Sequence, residues 1–177
     1  MPTHELRSLK NEERSILERY LSECPVKLGA LAAELGVSVK VSSLRTGISG
    51  QISREPQDNA YVIRVNRHEA RPRQRFTIAH ELAHFLLHRQ LIDSTPGGIS
   101  DNVLYRSGAP ERIEFEANRL AAEIVMPRKL VQRKLQEEFG GLVTEATIEK
   151  LASEFQVSKA AMEIRLSTLG QTGSRAA

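Results

Sequence analysis

The stretch Thr77-Ile78-Ala79-His80-Glu81-Leu82-Ala83-His84-Phe85-Leu86-Leu87-His88 constrains this chain more than any other part of it. Ile78, Leu82, Phe85 and Leu86 recur with the period of an amphipathic helix, and His80, His84 and His88 fall on the opposite side. A helix that serves only packing has no use for a histidine row turned away from its apolar stripe. Residues four apart share a helix face, with Cβ atoms about 5–6 Å apart. The imidazoles of His80 and His84 can therefore converge on one metal ion at about 2.0–2.1 Å. Glu81 lies about 100° round the helix from His80, so it misses the ion but reaches a water bound to it. This geometry is why His-Glu-x-x-His is a zinc-binding pattern. His88 lies about 6 Å further along the axis than His84, too far to share the ion. It is expected to cap the helix C-terminus, where positive charge is favoured.

Cys24 is the only cysteine. No internal disulfide can form, and a zinc site must draw on His, Asp or Glu. A catalytic zinc takes three protein ligands and keeps one position open. The third is expected from a helix that opens at Pro110 or Glu111 and is ended or kinked by Pro127. Ile113, Ala117, Leu120, Ala121 and Ile124 form its buried face, and the small Ala117 and Ala121 permit close approach to the histidine helix. Glu114 borders that face and is the leading candidate; Glu116, on the other edge, is the alternative. Asn118, one turn after Glu114, is placed to hydrogen-bond the free nitrogen of a ligand histidine and fix its tautomer.

Elsewhere the chain alternates between clear periodic segments and turn signals. Asn11 to Cys24 has helical spacing and is stopped by Pro25; Val26 to Leu35 reads as a short helix ended by Gly36. Val37, Val39 and Val41 alternate with Ser38, Lys40 and Ser42, which predicts a half-buried strand. Gly47 to Gly50 is a turn or bulge, Gln51 to Ser53 is extended, and Tyr61 to Val65 is a strand. These pieces predict a small antiparallel sheet joined by short turns. Pro72 opens the histidine helix, which runs to about His88. Ile92 to Ala109, with Gly97-Gly98 and Ser107-Gly108, reads as a long loop of the kind that forms lids. Arg128 to Phe139, Ile148 to Phe155 and Ser158 to Leu169 are predicted helices, followed by a disordered tail from Gly170. The fold class is α+β: a small antiparallel sheet packed on the histidine helix, then a mostly helical C-terminal half. The division is an N-terminal helix over 1–25, a core over 26–127, a helix-turn-helix-like part over 128–169 and a tail over 170–177.

Composition removes several function classes. There is no run of about 18 apolar residues to span a membrane. Nor does the start pair a basic with an apolar segment, so a cytoplasmic location is expected. A net charge of +3 and a pI near 9.2 permit contact with nucleic acid without arguing for it. Thr144 to Leu169 has the outline of a helix-turn-helix, but its second helix carries Glu163 and few basic residues. A groove-reading helix offers Arg, Lys, Asn or Gln. Arg64, Arg67, Arg71, Arg73 and Arg75 read as a solvated face or a peptide-docking rim. Direct nucleic-acid binding is not expected. The competing reading is a zinc-bearing interaction module with little protease activity.

Gly47 to Gly50, Ile63 to Asn66, Gln74 to His88 and Glu114 to Pro127 together resemble the ImmA/IrrE family of metallopeptidases. Leu151-Ala152, Phe155 to Ser158 and Ala161 to Leu166 extend the likeness, which covers most of Val26 to Leu169. Ala83 and Leu120 depart mildly from the family pattern, which often has Gly and Phe there. The resemblance implies a zincin-like α+β fold and a zinc site of His80, His84 and Glu114. It also implies a zinc endopeptidase acting on a protein such as a helix-turn-helix repressor in stress or mobile-element circuits. In the expected reaction Glu81 takes a proton from the zinc-acidified water and delivers it to the leaving amine. A second donor to the oxyanion is needed, and His68 and Tyr105 are the candidates. The substrate is expected to lie along an exposed sheet edge as an added strand.

Overall fold

The computed structural model describes residues 4–100 and 111–171. Tyr105 and the end of the tail, 172–177, lie outside the described residues. β1 (Val37–Ser42), β2 (Gly50–Arg54) and β3 (Tyr61–Asn66) form one sheet in the order β1-β3-β2. β3 takes the centre, where its Val62, Ile63 and Val65 are buried. β2 runs antiparallel to β3 with Ile52 opposite Ile63, whereas β1 runs parallel to it with Val39 opposite Ile63. The sheet is thus mixed, where alternation and short turns predict an antiparallel one. Alternation assigns the two faces of a strand and is satisfied beside a neighbour of either direction. The link decides the order. Residues 43–49 pass the end of β3 to its far edge instead of turning back along β1. Asn66 holds the crossing: its side-chain amide donates to the Ile48 carbonyl at 3.0 Å and its backbone N–H to that of Ser49 at 2.8 Å.

α1 (His4–Ser8), α2 (Asn11–Tyr20) and α3 (Leu28–Glu34) precede the sheet. α4 (Arg71–Leu87) follows it and packs against β2 and β3. α6 (Glu111–Val125) packs on α4 in the most extensive contact between any two helices among the described residues. The histidine side of α4 therefore meets a second helix and not solvent: Thr77 and every residue from Ala79 to Phe85 are buried. Ala117 and Ala121 of α6 are fully buried, as the close approach of the two helices requires.

The segment predicted as a loop from Ile92 begins as helix, since α5 spans Arg89–Ser94. Ile99 then exchanges both backbone hydrogen bonds with Ile52, at 2.8 and 3.0 Å, on the outer edge of β2. Gly98 makes this approach possible. Its φ is +84°, and a Cβ there would stand 2.1 Å from the Ile52 carbonyl oxygen. At Ile52 the outer edge of β2 is thus taken by the chain itself.

α7 (Arg128–Phe139), α8 (Glu145–Phe155) and α9 (Lys159–Thr168) complete the chain. Thr144 and Ser158 cap α8 and α9 by accepting from the N–H groups of Thr147 and Ala161 at 3.2 and 3.1 Å. Leu151, Phe155, Met162 and Leu166 belong to the same apolar cluster as Leu82 and Leu120. Arg165 of α9 is buried; it pairs with Glu123 of α6 and donates from Nε to the Met126 carbonyl at 2.9 Å. Lys159, the base at the start of α9, is engaged by Glu145 and Glu149. No helix among the described residues is long and apolar enough to cross a membrane.

Candidate metal centre

His80 and His84 point from α4 towards Glu114 on the first turn of α6. Their Nε2 atoms are 3.0 Å apart. Glu114 places Oε2 3.3 Å from Nε2 of His80 and Oε1 3.2 Å from Nε2 of His84. Ligand atoms about 2.0–2.1 Å from a tetrahedral zinc stand roughly 3.3 Å from one another. The three side chains therefore form a group that can hold a metal ion.

Proton positions sharpen the fit. The outward Nδ1 of His80 lies 3.1 Å from Oδ1 of Asn118, an oxygen that can only accept. A neutral His80 thus carries its proton on Nδ1 and turns a lone pair inward. Oε1 of Glu114 is buried, yet no donor among the described residues is aligned on it. Lone pairs and a carboxylate facing one another at this distance repel unless a cation stands among them. Burial pushes the His84 pKa below its ordinary value and keeps the ring neutral, the form that binds metal; Glu114 opposes this only in part. Burial raises the Glu114 carboxyl, and it is held down to about 2 only when His80 and His84 turn a proton to it, the alternative to a cation among the three.

Glu81 is 1% exposed and outside this group of three. It lines a cavity of about 240 Å³ together with His80, Glu114, Asn118, Thr77, Phe76 and Arg73. It therefore faces the space beside the donors, as a proton carrier must. β2 passes directly over it. A Cβ on Gly50 would stand 2.3 Å from Cγ2 of Thr77 and 3.5 Å from Oε1 of Glu81, so the missing side chain lets the sheet seat on the helix.

The other expectations divide. Asn118 takes the place predicted for it beside the outward nitrogen of a motif histidine, His80. Glu116 does not join the metal group; it binds Nε2 of His88 at 3.2 Å and Nε of Arg112 at 2.7 Å. His88 ends α4 through its backbone, whose N–H donates to the His84 carbonyl at 2.7 Å, while its imidazole turns to Glu116 and His84. His68 is exposed, 3.5 Å from Oγ of Ser43, and does not line the cavity. Sequence reasoning missed Arg73, Phe76 and Thr77 as cavity residues. Helical spacing was the available signal, since Phe76 and Arg73 lie one and two turns before His80, and Thr77 one turn before Glu81.

A profile of the IrrE N-terminal-like domain matches residues 48–167. The chain is 25% identical over 127 residues to metallopeptidase ImmA of Bacillus subtilis, covering 72% of this chain and 68% of that protein. A solved structure described as a Mycobacterium tuberculosis transcriptional regulator superposes with a TM-score of 0.59 at 19% identity. That match covers 93% of this chain and 47% of the other, so the chain spans about half the length of that structure, and the likeness speaks for the fold. The profile match encloses the histidine helix, Gly50 and Glu114 alike, and by it this chain belongs to the ImmA/IrrE family.

Proposed function

We propose that this protein is a zinc-dependent endopeptidase whose metal is held by His80, His84 and Glu114. The observation that carries the proposal is the convergence of three electron-pair donors on one point, with a buried carboxylate, Glu81, on the same cavity. Two imidazoles and one carboxylate suit zinc by ligand type. When bound, the ion supplies Lewis acidity, polarising a peptide carbonyl and making water acidic enough to attack near neutral pH. Glu81 takes the proton from the attacking water and passes it to the leaving amine. Asn118 holds His80 in the tautomer that ligation needs. For the second oxyanion donor we keep Tyr105 as the candidate, since His68 does not line the cavity.

The substrate class is a regulatory protein, with a helix-turn-helix repressor as the leading candidate by analogy with the family. A single cysteine suits a reducing compartment, so the proposed location is the cytoplasm. Co-expression with neighbouring candidate repressors tests the reading. Wild type is expected to cut one of them. Glu81→Gln is expected to keep its zinc and lose cleavage by roughly 10²-fold or more, because the amide cannot act as a base. Equal cleavage by the variant refutes the mechanism. A wild type that inactivates its repressor by binding alone replaces it with the interaction-module reading.

A further inference from the structure

The two histidines of the proposed site are held from behind in different ways. His80 meets a neutral amide. His84 meets another imidazole: its Nδ1 lies 3.1 Å from Nδ1 of His88. On the far side of His88, Nε2 lies 3.2 Å from Oε2 of Glu116, whose Oε1 accepts from Nε of Arg112 at 2.7 Å. We propose that His88 is a positioning residue that sets the tautomer of His84, with Glu116 and Arg112 fixing His88 in turn. The inference rests on the metal site proposed above.

With His88 neutral, the chain of hydrogen bonds has one consistent direction. An ionised carboxylate only accepts, so a neutral His88 must present N–H at Nε2 and a lone pair at Nδ1. That lone pair faces His84, which must then carry its own proton on Nδ1. Nε2 of His84 is left with its lone pair turned towards Glu114 and Nε2 of His80, as a ligand requires. In the reverse arrangement a lone pair of His88 would face the Glu116 carboxylate, and His84 would point a proton into the metal position. Helix capping does not account for the imidazole, because the backbone N–H of His88 already makes the terminal hydrogen bond to His84. Glu116 belongs to α6, as Glu114 does, so one helix supplies a donor to the site and, half a turn on, the anchor that orients another.

Side-chain nitrogen NMR on metal-free protein, paired with zinc affinity by chelator competition, tests this. In wild type His84 is expected as the Nδ1–H tautomer and His88 as the Nε2–H tautomer. His88→Leu leaves His84 without its acceptor and is expected to weaken zinc binding by about 10–100-fold. His88→Gln, whose carbonyl can accept from His84 and whose amide can donate to Glu116, is expected to restore most of the loss. Should His88→Leu fail to fold, Glu116→Leu asks the same question from α6, with mixed His88 and His84 tautomers and a smaller loss of affinity expected. A wild-type His84 protonated on Nε2, or zinc affinity unchanged in both leucine variants, overturns the proposal. A wild type that binds no zinc overturns the metal site instead, while the tautomers of the metal-free protein still decide the relay.

Discussion

α6 sets a glutamate at each end against buried polar partners, and the two are satisfied in opposite ways. Glu123, near its C-terminus, has a donor on both oxygens: the N–H of Arg128 at 3.0 Å and the guanidinium of Arg165. Glu114, on its first turn, faces two imidazole nitrogens and has an oxygen on which no described donor is aligned. The first cluster is complete within the chain and ties the C-terminal helices to α6. The second would be completed by a cation placed among its three members. A buried charge costs free energy unless it is paired, so the contrast separates a carboxylate that holds structure from one proposed to hold a metal ion.

Metal content should break or support this contrast most strongly. Wild type is expected to bind about one zinc per chain and the His80→Ala, His84→Ala double variant none, by elemental analysis. Glu114→Ala should lose affinity far more than Glu116→Ala in chelator competition; the reverse result would move the third ligand to Glu116.

Next in size comes the self-contained cluster. Arg165→Leu strands the buried Glu123 and is expected to destabilise the protein by about 3–5 kcal/mol in denaturant unfolding, with zinc affinity retained. Glu114→Gln should weaken zinc binding while changing the stability of the metal-free protein far less than Arg165→Leu does. If Arg165→Leu releases zinc while the protein stays folded, the two ends of α6 are not independent.

Gly50→Ala tests the seating of β2 on α4. The added methyl must displace Thr77, a β-branched side chain with little freedom to move, and it presses towards Glu81. A loss of about 1–3 kcal/mol is expected, with cleavage reduced more than zinc affinity. Cleavage at the wild-type rate would remove Gly50 from the account of Glu81.

The smallest expected effect is on pH dependence. In metal-free protein the His84 pKa lies below its ordinary 6.5, so below that pH the unfolded chain takes up a proton the folded one resists, and stability falls. Glu114 acts in the same direction. Its contribution is full above 4.5 and is lost as pH falls towards about 2. Denaturant midpoints of the metal-free protein should therefore decline on acidification from pH 6.5, and less steeply in His84→Gln.

What the sequence alone determined is what a single helix or strand enforces on its own residues. The i, i+4 spacing of His80 and His84, the turn between His80 and Glu81 and the shared strand face of Val37 and Val39 follow from local geometry. Such geometry is nearly the same in any fold. Periodicity also brought Glu114, Glu116 and Asn118 to the right helix and favoured Glu114, which borders its buried face, without fixing which of the two meets the histidines. That choice depends on the axial register and rotation of α6 against α4, set by Ala117 and Ala121 packing at close range. The same register brings Glu116 to His88 and turns an expected cap into a link behind His84. Sheet order likewise waited on tertiary structure, because an alternating strand accepts a neighbour of either direction and only the path of residues 43–49 decides which it meets. Which side chains meet across elements is fixed by how whole surfaces fit together, and no period within one element encodes that fit.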